Sequence, residues 1–324
     1  VYRKMDEFIR KWGANPGRAG HRMAVGAERI IEETRYQIAQ IFNIKDYQRI
    51  IFTLNCTDSL NIGIKGLLKN GDNVITTYLE HNSVSRPLEG LVKKGIITVT
   101  RVNHTKEGFI DLEELRNAFI PQTRLVVVVH GSNVIGSLQP VREIGKISKE
   151  KGAIFMLDAA QTAGVIPIDV ERDNIDLLAF PGHKALFGPP GTGGLYVGPR
   201  VNLEPWREGG SGVDSESELQ PKELPFRLEG GTINTVGVAG LGAGITFIQK
   251  EGIEKIKQYE EELTKYLLEK LSRMRKVKIY GPRNGKMRIG TVSFNVEDLN
   301  PAELGAILDE SFGIACRTGL HCAP

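Results

Sequence analysis

The segment Leu125–Val129, which reads Leu-Val-Val-Val-Val, is apolar at every position. The segment Ala153–Leu157, which reads Ala-Ile-Phe-Met-Leu, repeats this character farther along the chain. A strand that is apolar on both faces must be covered on both faces, which is typical of a parallel sheet flanked by helices. The sequence therefore predicts an α/β fold with a mostly parallel central sheet.

Around these two segments, short β-branched runs alternate with amphipathic stretches of helical period, as in successive βαβ units. The predicted strands are Arg49–Asn55, Asn73–Thr77, Ile97–Asn103, Arg124–His130, Ala153–Leu157, Leu177–Phe180 and Gly194–Val197, and the predicted helices lie near 58–69, 84–95, 111–118 and 140–151. In sheets of this kind ligands bind beyond the carboxyl ends of the strands, so we searched those positions for reactive side chains.

The pattern changes after residue 245. A charged helix is predicted over Lys250–Arg275, followed by strands at Val277–Tyr280 and Gly290–Val296 and a helix near Pro301–Phe312. We therefore predict a large domain over residues 21–245 and a smaller α+β domain over residues 246–324. We assign the N-terminal segment, residues 1–20, to the small domain.

The composition argues against several classes of protein. The 42 basic and 39 acidic residues leave a net charge of +3, without the basic excess that binding to a nucleic-acid backbone requires. No segment approaches the roughly 20 apolar residues that cross a bilayer. The three cysteines, Cys56, Cys316 and Cys322, are an odd number without CxxC spacing, which argues against a disulfide framework and a structural zinc site. These features favour a reducing, cytoplasmic setting.

Two glycine-rich segments fail the known phosphate-binding signatures. Residues 240–244 lack the glycine spacing of a dinucleotide fingerprint, and residues 281–286 are one residue short of a P-loop. We interpret both as packing or turn glycines, so neither predicts a nucleotide site.

A carboxylate and a lysine follow two predicted strands of the sheet. Asp158 ends an apolar strand, and Lys184 stands between the next strand and the glycine-rich segment 188–194. An aspartate at this place often only caps a helix, and a single lysine is usually solvated. Together, however, a desolvated lysine able to form a Schiff base and an aspartate able to hold a pyridinium nitrogen are what pyridoxal phosphate chemistry requires of a protein.

Three strings of sequence resemble one family. Asp158–Gln161 (Asp-Ala-Ala-Gln), Gly182–Lys184 (Gly-His-Lys) and Arg317–Cys322 (Arg-Thr-Gly-Leu-His-Cys) are similar to motifs of the class V aminotransferases, in particular the group II (Suf-type) cysteine desulfurases and their selenocysteine lyase relatives. The resemblance covers essentially the whole chain. It implies fold type I of the pyridoxal 5'-phosphate (PLP) enzymes and conversion of L-cysteine to L-alanine, with the sulfur held as a persulfide.

The resemblance also implies roles for residues around the cofactor. Lys184 would carry PLP covalently and then act as the proton-transfer base, and Asp158 would keep the pyridine nitrogen protonated. Gln161 would hydrogen-bond the phenolic oxygen, and His81 would stack on the ring. Taken alone, a histidine such as His81 is more often a structural residue at a strand end.

Other residues would hold the phosphate and the substrate. Thr57, in a turn that opens a helix, and His183 would bind the phosphate. Thr232 would reach the phosphate of the partner subunit's cofactor, which implies a homodimer. Arg317, assisted by Asn133, would bind the substrate carboxylate.

Cys322 would be the nucleophile, because only a thiolate attacks sulfur, and it would pass the persulfide to a sulfur acceptor protein. The short loop over Arg317–Cys322 favours the group II arrangement and a dedicated acceptor. Cys56 and Cys316 match no motif, and we interpret them as structural.

Two alternatives remain open from the sequence. The first is another enzyme of the same fold, either a selenocysteine lyase or a PLP-dependent lyase or aminotransferase for which Cys322 is incidental. The second is a non-catalytic scaffold, against which Lys184, Asp158, His81 and Arg317 argue. Members of the family also begin earlier and continue beyond the cysteine loop, so we expect the chain to be a piece of a longer protein with an incomplete small domain.

Overall fold

A central sheet carries the residues of interest. The computed structural model describes residues 1–17, 20–214 and 216–323. Within these ranges a seven-stranded sheet has the order β1-β7-β6-β5-β4-β2-β3. Its strands are β1 (Ile50–Thr53), β2 (Asp72–Thr77), β3 (Ile97–Val102), β4 (Thr123–Val129), β5 (Ile154–Asp158), β6 (Leu177–Pro181) and β7 (Gly193–Val197). The two pairings that involve β7, with β1 and with β6, are antiparallel, and the other four pairings are parallel, so the predicted mostly parallel sheet is confirmed.

Helices cover the sheet and connect its strands. They are α1 (Tyr2–Trp12), α2 (Arg22–Ile41), α3 (Cys56–Leu67), α4 (Asn82–Lys93), α5 (Leu112–Asn117), α6 (Val141–Glu150), α7 (Thr235–Glu251), α8 (Ile253–Ser272) and α9 (Pro301–Phe312). A second, antiparallel sheet pairs β8 (Val277–Tyr280) with β9 (Ser293–Val296). The predicted elements therefore exist with small shifts at their ends.

Strand β4 shows why the sheet needs cover on both faces. Val126 and Val128 belong to the apolar cluster on one face, whereas Leu125 and Val127 belong to the cluster on the other. All four side chains are completely buried. Because successive side chains of a strand point to opposite faces and each buried aliphatic side chain contributes about 1.5–3 kcal/mol, an uncovered face would be costly.

The helix predicted over Lys250–Arg275 is wrong in one respect. The structure divides this region into α7 and α8 at Gly252, whose φ of 87° lies outside the helical range. Helix α7 was not predicted, because its glycines lower helix propensity. They serve close packing instead: a Cβ on Gly244 would lie 2.3 Å from the carbonyl oxygen of Leu186. The division into domains at residues 20 and 245 stays a prediction.

The β8–β9 sheet is attached to the loop that follows β4. Leu138 N donates to Met287 O at 3.1 Å, and Ile289 N donates to Gly136 O at 2.9 Å. The Ser293 hydroxyl also donates to the carbonyl oxygen of Val134. These bonds bring the C-terminal part of the chain to the carboxyl ends of the parallel strands. Across the described ranges, no helix is both long enough and apolar enough to cross a membrane.

Candidate active site

The Asp158 carboxylate forms the floor of the site. It ends β5 and is 1% exposed. Ala160 N donates to its Oδ1 at 2.9 Å, and the Cys56 thiol donates to the same oxygen at 3.5 Å. Burial raises the pKa of Asp158, and these two donors and the nearby Lys184 charge act against that rise. Among the described residues both hydrogen bonds go to Oδ1, which leaves Oδ2 to accept a bond from a ligand.

Helices α3 and α4 meet beside this carboxylate through a chain of hydrogen bonds. Thr57 Oγ1, in the first turn of α3, lies 2.7 Å from Ser83 Oγ, which in turn lies 2.9 Å from His81 Nδ1. Ser83 N also donates to His81 Nδ1 at 3.1 Å, so the imidazole caps α4. Because Nδ1 accepts this bond, the neutral ring carries its proton on Nε2.

The charges around His81 show which groups surround it. Burial lowers the pKa of His81, and the Asp158 charge opposes this, whereas the charges of Lys184, Arg317 and Arg86 lower the pKa further. A half-buried ring with a lowered pKa is neutral at neutral pH. The structure thus brings His81, Asp158, Lys184 and Arg317 into one neighbourhood.

A cavity of about 620 Å³ lies between the large sheet and the β8–β9 sheet. Its lining includes Asn133, Gln161, Lys184 and Arg317. Lys184 follows the end of β6, in the turn where Phe187 N donates to Lys184 O at 2.9 Å. Its side chain is exposed, so the expectation of a desolvated lysine is wrong for the single chain, in which the open cavity leaves the side chain in contact with solvent. The amine forms no ion pair with any residue that the structure describes.

The loop that carries Cys322 lines this cavity through Arg317, Thr318, Gly319 and His321, whereas Cys322 itself lines a second cavity together with Thr57 and His81. Arg317 Nη2 donates to Cys322 Sγ at 3.2 Å, and Asn133 Nδ2 donates to His321 O at 2.5 Å. A guanidinium donor binds a sulfur anion more strongly than a neutral thiol, because the hydrogen bond is then charge-assisted. Asn133 was predicted as a substrate ligand, and in this arrangement one of its amide hydrogens positions the cysteine loop.

One predicted residue lies apart from this cluster. Thr232 is exposed and lines a different cavity, of about 520 Å³, together with Arg35 and Glu229. Within one chain the structure does not bring Thr232 to Lys184, and its predicted reach into a partner's site stays a prediction. His183 is also exposed, on the turn that carries Lys184.

Several functional candidates were not predicted from the sequence. Cys56 was interpreted as structural, yet its thiol contacts the Asp158 carboxylate, and burial raises the pKa of the thiol well above its usual value. Its place beside Thr57 at the start of a helix was the available signal. Ser83, which links Thr57 to His81, carried no motif.

Glu80 and His130 are two more buried groups beside the site. Glu80 is 1% exposed; its Oε1 accepts bonds from Thr77 Oγ1 at 2.7 Å and from Val129 N at 3.2 Å. Burial raises the pKa of Glu80 to about 8, and the same two donors act against this rise. Burial lowers the pKa of His130 to about 4. Both side chains are therefore uncharged at neutral pH.

Glu80→Gln is expected to flatten the pH dependence of stability. In wild type the neutral carboxyl contributes stability that is complete below its unfolded pKa near 4.5 and is lost as pH rises through about 8. The amide of the variant cannot ionise, so the variant does not lose this stability as pH rises. From pH 5 to pH 9 the unfolding free energy of wild type is therefore expected to fall, relative to that of the variant, by on the order of 3 kcal/mol. Urea unfolding at several pH values measures this difference, and parallel curves would contradict it.

Comparisons with known proteins find relatives along the full length of the chain. The model of the family described as aminotransferase class-V matches residues 1–324. A probable cysteine desulfurase of Pyrococcus abyssi is 39% identical over 330 residues, which cover 100% of this chain and 81% of the relative. A cysteine desulfurase of Escherichia coli O8 is 32% identical over 98% of this chain and 79% of its own length.

Solved structures show the same fold. The apo structure of the cysteine desulfurase from Thermococcus onnurineus NA1 superposes with a TM-score of 0.93 at 38% identity, covering 99% of this chain and 81% of that one. The cysteine desulfurase CsdA from Escherichia coli gives a TM-score of 0.88 at 25% identity, with the same coverage of 99% and 81%. With a family match along its full length, this chain belongs to the class-V aminotransferase family.

Proposed function

We propose that this protein is a PLP-dependent cysteine desulfurase. One observation supports this most directly: Arg317, which lines the same cavity as Lys184, donates from its guanidinium to Cys322 Sγ at 3.2 Å. A lyase or aminotransferase without sulfur transfer has no use for a thiol at this place. Relatives that carry the name cysteine desulfurase at 32–39% identity support the same conclusion.

The residues present fit PLP. The buried Asp158 carboxylate has a free Oδ2, which suits a protonated ring nitrogen, and the unpaired amine of Lys184 suits a Schiff base. Thr57, the first-turn N–H groups of α3 and the exposed His183 suit a phosphate. Gln161 lines the same cavity as Lys184 and suits the phenolic oxygen. When bound, the cofactor supplies an electron sink that labilises the α-hydrogen and the Cβ–S bond of the substrate.

Each residue of the chain then has a defined task. Lys184 Nζ removes and returns the proton at the substrate's α-carbon. Asp158 would hold a proton on the pyridine nitrogen by its negative charge. The neutral His81 ring would pack against the cofactor without adding a positive charge beside it. Arg317 and Asn133 bind the substrate carboxylate with the donors that the cysteine loop leaves free.

Cys322 carries out the sulfur step as a thiolate. Its Sγ attacks the substrate sulfur; the new S–S bond forms as the Cβ–S bond breaks. The electron pair of the broken bond stays on carbon, which takes up a proton, and the product is L-alanine. The sulfur is oxidised as the carbon is reduced, so no external oxidant is needed.

The assembly is part of the proposal. We place Thr232 against the phosphate of a partner subunit's cofactor in a homodimer, which its exposure permits. The persulfide passes to a sulfur acceptor protein. All three cysteines are free thiols, which supports a reducing, cytoplasmic setting.

The test uses the holoenzyme with L-cysteine. With dithiothreitol present, L-alanine and sulfide are expected in equal amounts; without a reductant, one persulfide sulfur is expected on Cys322 by mass spectrometry. Formation of pyruvate, or of an α-keto acid by amino transfer, would replace the proposal by a lyase or an aminotransferase. Parallel assays with L-selenocysteine decide whether selenium is the preferred element.

A further inference from the structure

A groove between α3 and α4 starts at Cys322. This α3–α4 groove has a volume of about 530 Å³, and Cys322 forms one end of its lining. Asn82 N, in the first turn of α4, donates to Cys322 O at 2.8 Å. The loop that carries the thiol is therefore tied to the end of the groove where both helices begin.

Three cations line the groove. Lys65 stands eight residues after Thr57 on α3. Arg86 lies on α4, and Lys94, eight residues later, lies at the end of that helix. Residues at such spacing share one helix face. All three cations are exposed, and the groove lining contains no carboxylate.

None of the three cations has an ion-pair partner in the part of the chain that the structure describes. Glu89, the acidic residue on α4, points elsewhere and pairs with Arg101. The first turns of both helices add the positive ends of their dipoles near Cys322. The groove lining therefore carries three positive charges and no carboxylate that would neutralise them.

The length of the groove favours a peptide over a small thiol. From Asn82 to Lys94 helix α4 rises about 18 Å at 1.5 Å per residue. An extended chain of about five residues spans this distance. A small thiol at Cys322 leaves the distant Lys65 and Lys94 without a counter-charge.

We propose that the α3–α4 groove binds an extended acidic segment of the sulfur acceptor protein and so delivers the acceptor's cysteine to Cys322. This inference rests on the proposed cysteine desulfurase function. In the transfer the acceptor thiolate attacks the outer sulfur of the persulfide. A new S–S bond forms on the acceptor, and the electron pair of the broken bond leaves Cys322 as a thiolate, so no further reactant is required.

The experiment uses holoenzyme loaded with persulfide and freed of L-cysteine. The probes are eight-residue peptides of Asp and Gly residues with one cysteine, which stands at the first position in some peptides and at the last position in others. Matched peptides have Asn in place of Asp. We expect at least one acidic peptide to remove the sulfur about tenfold faster than its Asn counterpart at low salt. The advantage is expected to shrink toward unity at high salt, because screening weakens exposed charge interactions.

The variant that tests the groove is Lys65→Glu combined with Lys94→Glu. Both residues are exposed, and neither contributes to the charge around His81, unlike Arg86, which is left unchanged. The double variant is expected to lose the preference for acidic peptides while it forms alanine with dithiothreitol at the wild-type rate. Lys106→Glu combined with Arg275→Glu changes the net charge equally on other exposed positions and is expected to keep the preference.

Several results would overturn the inference without affecting the proposed function. One is equal discharge by acidic and Asn peptides while dithiothreitol still discharges the persulfide. Another is a larger advantage for glutathione, which would assign the groove to a small anionic thiol. A loss of dimer in the Lys65→Glu, Lys94→Glu variant by sedimentation would assign it to a second copy of the chain. Failure to form any persulfide with L-cysteine would instead reject the proposed function.

Discussion

Lys184→Ala is expected to remove covalent cofactor binding and to lower turnover of L-cysteine by about 10³-fold or more. The amine of Lys184 lines the 620 Å³ cavity without an ion-pair partner among the described residues, and its charge acts on Asp158 and His81. Without it, neither the Schiff base nor the proton transfer at the α-carbon has a group to perform it. Borohydride reduction followed by mass spectrometry measures the first effect: wild type gains the cofactor's mass, and the variant does not.

Two controls make this result specific to the amine. Lys222→Ala removes another exposed lysine and is expected to leave both the added mass and the turnover unchanged. The Lys184→Ala variant should unfold at the same urea concentration as wild-type apoprotein, because the side chain is exposed and unpaired. Covalent cofactor at another lysine in the variant would contradict the assignment.

Cys322→Ala is expected to abolish persulfide formation and to reduce sulfide release from L-cysteine by about 10³-fold. Cofactor binding should survive, because Asp158 and Lys184, which suit the ring and its carbonyl group, are untouched. The absorbance of the bound cofactor and the persulfide mass are measured on the same sample.

The matched control is Cys316→Ala. Cys316 is exposed and lines the same cavity as Lys184 and Arg317, but its sulfur has no partner comparable to the Arg317 guanidinium among the described residues. This variant is expected to keep full activity. If Cys322→Ala transferred sulfur normally, or if Cys316→Ala lost the persulfide, the assignment of the nucleophile would be wrong.

The fold was readable from the sequence because burial leaves a strong local signal. The all-apolar segment over Leu125–Val129 requires cover on both faces, and this alone predicts a parallel sheet with helices on each side. Asp158 and Lys184 were found for a related reason: parallel strands end at the same edge, so polar residues directly after them meet. The break at Gly252 and the glycine-rich α7 were missed, because there close packing overrides helix propensity.

The candidate site was only partly readable, since several of its contacts join residues far apart in the chain. Nothing in the sequence around Cys56 says that its thiol lies 3.5 Å from Asp158, or that Ser83 joins Thr57 to His81. Glu80 follows β2 directly, but its neutral state depends on burial from all sides. Such environments are set by several strands and helices together.

For this protein the residue types and their order along the chain determined the α/β architecture, the lysine–aspartate pair and the cysteine loop. These depend on hydrophobic period and on the position of residues after strands, which are local properties. The tertiary structure decided the remaining features: the protonation of Glu80 and His130, the Arg317–Cys322 contact and the positive α3–α4 groove. Desolvation and charge–charge interactions act through space, and only the folded chain sets the distances on which they depend.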